Sequence, residues 1–220
     1  TMTAICSCVI PMDGRNISAA AKSAFAPLSW RNDNMKKALT VKSMALCAVF
    51  TALIAVGAFI KIPVPGIPFT LQTLFVTLAA LLLGPALGAA SVLCYIFLGL
   101  AGLPIFTQGG GPMYVLQPSF GYIIGFAVAA FVTGRIAYAV PSPGFVRLIL
   151  ASLAGLAIIY FCGVMYYWMI SALYLGKSVS ARSVIIYCFL IFVPGDAASC
   201  VLASIISKRL APVLHRMAAV

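Results

Sequence analysis

The sequence predicts an all-α integral membrane protein of six transmembrane helices. Three observations carry this expectation. Of the 220 residues, 64% are hydrophobic and only 8% are charged, against roughly 45–50% apolar and 25% charged in soluble domains. The apolar residues come in runs of about 20, the length that crosses a bilayer, separated by Pro- and Gly-rich breaks. Basic residues mark the edges of those runs, as expected at membrane boundaries and on the cytoplasmic side. The net charge of +11 is therefore no argument for nucleic acid. The lipid bilayer is the expected surrounding.

Residues 1–35 are polar, with Asp13, Arg15, Lys22 and Arg31 and no sustained periodicity. They read as a disordered leader ahead of a membrane domain over residues 36–220. Met35-Lys36-Lys37 resembles a bacterial protein start, which makes 1–34 an upstream extension. A cleaved signal peptide is the competing reading, with Lys36, Lys37 and Lys42 as its basic region. The run Ser43–Ile60 is long for a signal core and no convincing cleavage site follows, which favours a retained helix.

Six spans are expected. Thr40–Ile60 ends at Lys61 and a Pro-rich loop. Ile67–Leu83 and Ala86–Leu103 flank a tight turn at Gly84-Pro85. Pro118–Val140 follows a long uncharged loop, Pro104–Gln117, and Phe145–Leu175 follows the breaker Pro141-Ser142-Pro143-Gly144. Ser183 to Leu214 as one helix would run about 48 Å, beyond a hydrocarbon core of roughly 30 Å. Pro194 is a natural first-turn residue, so Ser183–Val193 is expected as a short re-entrant or interfacial helix and Pro194–Leu214 as the sixth span.

Asp196 is the candidate centre. The only acidic residues are Asp13, Asp33 and Asp196, and Asp196 alone lies in the hydrophobic part of the chain. A carboxylate there costs roughly 2.5–3.5 kcal/mol on insertion scales. Such a group normally faces a cavity or a partner. Asp196 stands twelve residues before Lys208, about 18 Å by helical rise, which puts it in the outer half of the bilayer. With both termini cytoplasmic, Lys36, Lys37, Lys42, Arg135, Arg147, Lys208, Arg209 and Arg216 lie inside, and Lys61, Lys177 and Arg182 outside. The Pro-rich loop, the Gly-rich loop and Asp196 then all fall on the outer side, as for an outward-opening small-molecule pocket.

Other residues admit two readings each. The stretch from Lys61 to Gln72 holds three prolines and is too stiff for helix. It is either a connector or a pocket wall, with Thr70, Gln72 and Thr73 as ligand or interhelical hydrogen-bonding groups. Leu103-Pro104-Ile105-Phe106-Thr107-Gln108-Gly109-Gly110-Gly111 is a flexible lid or a linker; it lacks the Gly-Lys-Ser/Thr of a phosphate loop. Tyr122 is a pocket ring or a member of the interfacial aromatic belt. Ala45, Ala48, Ala52, Ala55 and Ala58 form a stripe on the first span. Ala48-xxx-Ala52 permits close helix approach, for internal packing or for a protein partner. His215 reads as a solvated tail residue. Cys47, Cys94, Cys162, Cys188 and Cys200 are dispersed, and Cys6-x-Cys8 is too little for a metal site. No metal, cofactor or nucleophile arrangement is expected.

The stretches IPVPGIPFTLQTL, LLLGPALGAASVLCYIFLGLAGLPIF, QPSFGYIIGF and FVPGDAAS, in that order from about Met35 onward, resemble BioY, the biotin-binding S component of energy-coupling-factor (ECF) vitamin transporters. The resemblance implies a six-helix S-component bundle in the bacterial cell membrane and a biotin site near its outer face. It also implies a separate transmembrane coupling subunit, contacted through Ala48 and Ala52, and two cytosolic ATPases. Asp196 is then the expected substrate contact, with Ser199, Gln72, Thr70, Gln108, Tyr122, Ser119 and Tyr95 in support. The family usually reads Pro-Gly-Asp-x-x-Lys. Here Ser199 holds the Lys position, so Asp196 lacks a cationic neighbour one turn along its face. An S component for another vitamin is the alternative in the same class. An intramembrane enzyme using Asp196 is the alternative in another, and it would need a second titratable group.

Overall fold

A computed structural model of the chain describes residues 41–62, 69–140, 143–173 and 192–218. The leader, the prolines Pro63, Pro65 and Pro68, and the expected helix from Ser183 up to residue 191 lie outside the described residues.

The first helix, α1 (Val41–Phe59), opens within a residue of its expected start. Beyond it the sequence reading needs correction. The second span was expected from Ile67, yet Phe69–Thr70 forms a short strand, β2, antiparallel to β1 (Lys61–Ile62), with Lys61 opposite Thr70 and Ile62 opposite Phe69. Proline-stiffened chain resists helix and accepts extended backbone, so the helix starts only at Gln72. Among the described residues the small sheet is the one addition to an otherwise helical class.

Helix α2 (Gln72–Leu100) is a helical hairpin rather than one rod. Gly84 adopts φ 83° and ψ −176°, far from helical values, and Pro85 follows it. Only glycine takes such a conformation without strain, and proline starts the second limb at a position that needs no N–H. Contacts across the turn prove the reversal. A Cβ at Gly88 would lie 2.9 Å from the Cα of Ala80, and Gln72 reaches Tyr95. The limbs run about 18 and 24 Å, each less than the hydrocarbon core. The Tyr138 hydroxyl donates to the Leu82 carbonyl at 2.8 Å, satisfying an acceptor the turn leaves exposed.

The loop after α2 contains a short 3-10 helix (Pro112–Leu116). It leads into α3 (Phe120–Ala137), α4 (Phe145–Leu173) and α5 (Val193–Ala218). Helices α1, α3 and α4 are each long and apolar enough to cross a membrane, and α2 reaches that length only with its two limbs taken together; α5 carries Asp196, Lys208 and Arg209. With the two limbs of α2 counted separately, the described residues hold six helical segments. Helix α2 packs against α1, α3, α4 and α5 and is the centre of the bundle. One buried cluster, including Ile54, Val92, Tyr95, Phe106 and Phe126, underlies the end where α1 and α4 finish and α2, α3 and α5 begin. Another, including Phe50, Leu78, Leu82, Leu148 and Ala203, fills the opposite end.

Gly134 of α3 lets the hairpin turn approach, since a Cβ there would lie 2.6 Å from the backbone of Pro85. We expect Gly134→Val to cost about 1–3 kcal/mol through backbone displacement. Gly144→Ala, where a Cβ meets nothing within 4 Å, is the control and should be close to neutral. Thermal unfolding of both variants in detergent checks this; equal midpoints would show that the turn does not depend on the close approach.

Candidate substrate-binding site

A cavity opens at the end of the bundle where α2, α3 and α5 begin. Its wall is formed by Thr70 of β2, Gln72 and Thr73 of α2, Thr107 and Tyr114 of the loop, and Ser119 at the threshold of α3. Tyr122, Ile123 and Phe126 of α3, Ile159 and Tyr160 of α4, and Phe192 and Asp196 at the start of α5 complete it. The lining mixes hydroxyl, amide and carboxylate groups with the apolar side chains of Ile123, Phe126, Ile159 and Phe192. Few placed polar groups over an apolar base is the usual character of small-molecule sites.

Asp196 sits in the first turn of α5, where the helix dipole favours negative charge, with Pro194 at the helix start as the sequence indicated. It is 6% exposed. Its Oδ2 accepts from the Tyr160 hydroxyl at 2.6 Å, and Thr73 interacts with the same carboxylate. Tyr160 meets the ring of Tyr122 edge-on, centroids 6.5 Å apart.

The part of the wall that the loop supplies is a chain of hydroxyls. The Thr107 and Tyr114 hydroxyls lie 2.9 Å apart, and Tyr114 and Ser119 are 3.3 Å apart. The loop carrying them is tied down rather than slack. Phe106 N–H donates to Gly109 O at 2.9 Å and Gly109 N–H to Phe106 O at 3.2 Å, and Gly111 N–H reaches Gly99 O at 2.7 Å. Phe106 packs between Tyr95 and Tyr114, and Tyr166 of α4 hydrogen-bonds the Val115 carbonyl.

The expected site residues divide accordingly. Asp196, Gln72, Thr70, Tyr122 and Ser119 are brought together on the wall. Gln72 takes both of its readings at once: it lines the cavity and donates to the Tyr95 hydroxyl at 2.9 Å while Thr70 donates to its Oε1 at 3.4 Å. Three do not line the cavity. Tyr95 is fully buried behind the wall, its hydroxyl donating to the Ile105 carbonyl at 3.1 Å. Gln108 is exposed at the tip of the Phe106–Gly109 turn. Ser199 is half-buried and lies about 4.5 Å further along α5, nearly a full turn deeper than Asp196. On α1, Ala45, Ala48 and Ala52 are exposed, whereas Ala58 is buried; the stripe passes from an outer face to internal packing along its length.

Tyr160, Tyr114 and Thr107 were not anticipated. Tyr160 did carry a signal. It lies mid-helix in α4, away from the interfacial belts that favour tyrosine, and a buried tyrosine hydroxyl needs a partner. Nothing local in the sequence marks Tyr114 or Thr107, which enter the site through the loop's own fold.

Fold and site together define a helical membrane protein with a small-molecule pocket at one end. The BioY family model matches residues 34–216, and the chain belongs to the BioY family. It is 44% identical over 186 residues to a "Probable biotin transporter BioY" of Lysinibacillus sphaericus, covering 84% of this chain and 95% of that one. It is 39% identical over 173 residues to a protein of the same description in Pyrococcus horikoshii, covering 78% and 98%. The fold is similar, at TM-score 0.66 and 29% identity, to the crystal structure of an S-component for biotin from an ECF-type ABC transporter, covering 81% of this chain and 92% of that one. The family is one of transporter components and not of enzymes, which sets aside the intramembrane-enzyme alternative.

Tyr160→Phe removes the donor to a buried carboxylate and should destabilise the protein by about 1.5–3 kcal/mol. In an Asp196→Leu background the same change should cost much less, since neither polar partner is then stranded. Chemical unfolding of the four proteins gives the coupling directly; an equal cost in both backgrounds would show that the two side chains act independently.

Proposed function

We propose that this protein is the substrate-binding membrane subunit of a biotin uptake system. The observation that carries the reading is a buried carboxylate, Asp196, held at a helix start by Tyr160 and lining a cavity together with apolar side chains. Biotin presents a compact bicyclic head whose ureido group offers N–H donors and a carbonyl acceptor. An ionised Asp196 accepts an ureido N–H in a charge-assisted bond. The hydroxyls of Thr107, Tyr114 and Ser119 serve the remaining polar atoms, and the apolar side chains take the thiophane ring. The names of the relatives, biotin transporters in two organisms and a biotin S-component in the solved structure, support the same ligand.

In this reading the protein resides in the bacterial cell membrane with both termini cytoplasmic. Lys42, Arg135, Arg147, Lys208 and Arg209 gather at the end away from the pocket, in agreement with a cytoplasmic side rich in Lys and Arg. The energy comes from a separate coupling subunit and two cytosolic ATPases. The exposed Ala48 and Ala52 offer the coupling subunit a surface on which helices approach closely.

Asp196→Asn keeps the shape but removes the charge and turns an acceptor into a mixed group. Biotin affinity should fall roughly 10- to 150-fold, the equivalent of about 1.5–3 kcal/mol. Isothermal titration in detergent measures it, and affinity equal to the parent's would remove Asp196 from the ligand contacts. Ala48→Leu with Ala52→Leu should abolish co-purification with the coupling subunit and leave biotin affinity intact. Normal co-purification would return Ala48 and Ala52 to a lipid-facing role.

A further inference from the structure

We propose that Lys61 is the carboxylate-binding residue of the pocket. The ligand enters in one orientation only, N–H donors toward Asp196 and anionic tail toward Lys61. The inference rests on the biotin reading above. Lys61 stands in β1 directly opposite Thr70, and its Nζ donates to the Thr107 carbonyl at 2.7 Å. Thr70 and Thr107 both line the cavity. The backbone of Lys61 is thus paired with one wall residue and its ammonium bonded to another, while the side chain stays exposed. An ammonium has three donors, of which the Thr107 carbonyl takes one.

Charge makes the arrangement directional. Among the described residues, Lys61 is the one cation at the pocket end; Lys42, Arg135, Arg147, Lys208 and Arg209 belong to the other. Asp196 is the one acid among them, and it is buried. The cavity thus runs between a buried negative pole and an exposed positive one. A ligand with a carboxylate turned toward Asp196 would set two like charges together in a poorly solvated site. Turned outward, the same carboxylate meets Lys61 and water. The site accordingly selects a molecule with hydrogen-bond donors at one end and an anion at the other.

The test compares biotin with biotin methyl ester, which keeps the bicyclic head and loses the charge. Both are titrated into the parent, Lys61→Met, Lys61→Arg and Asp196→Asn. Lys61→Met should weaken biotin about five-fold, as for a partly exposed ion pair, and leave the ester unchanged; Lys61→Arg should restore biotin binding. Raising salt from about 0.05 to about 0.5 M should erode the parent's preference for biotin over its ester. Equal losses for both ligands in Lys61→Met would make Lys61 a brace for the loop, and no loss for biotin would remove it from the site; either overturns the proposal. Asp196→Asn should weaken both ligands alike. A parent that binds neither overturns the biotin reading itself, and this inference with it.

Discussion

The hydrogen bond from Tyr160 to Asp196 is the constraint on which the pocket end depends. A carboxylate inside an apolar bundle is costly unless donors and dipoles meet it. Here a phenol from α4, a threonine from α2 and the amino end of α5 converge on it. That convergence ties three helices together at one carboxylate, because moving any one takes a partner away from it. The pocket is what remains between them once the carboxylate is satisfied from behind.

The hydroxyl-lined loop is held to the same standard. Tyr95 connects it to the helices: its hydroxyl takes the Gln72 amide and gives to the Ile105 carbonyl. One buried side chain thereby sets the wall residue Gln72 and the base of the loop together. Lys61 performs a similar office from outside, reaching from the β1–β2 hairpin to Thr107. The loop is thus fastened on its inner and outer sides, and its glycines serve the tight turns at Gly109 and Gly111, both at positive φ, rather than slackness.

Much of this was legible in the chain. Apolar run length gave the helices, because the bilayer thickness imposes it. Gly84-Pro85 gave the hairpin turn, and isolation of a single acid in apolar surroundings gave Asp196. The start of α2 was missed by five residues, since hydropathy does not register that Pro65 and Pro68 favour extended backbone. Tyr95 and Gln108 were expected on the wall; burial in one case and a turn tip in the other take them away. Tyr160 was passed over because its partner stands 36 residues away. No local pattern reports a tertiary hydrogen bond, whereas a lone carboxylate reports its own need for one.

The hairpin at Gly84 also bears on how the chain is made. Neither limb of α2 alone matches the thickness of a bilayer, but the two share a turn, pack at Gly88 against Ala80, and can leave the translocon together as one insertion unit. Two antiparallel limbs entering as a pair return the chain to the side it came from. The sidedness of α3, α4 and α5 is therefore the same whether the pair goes in early or late during synthesis. In this turn the chain thus has a way to add two limbs without changing the side from which α3 starts.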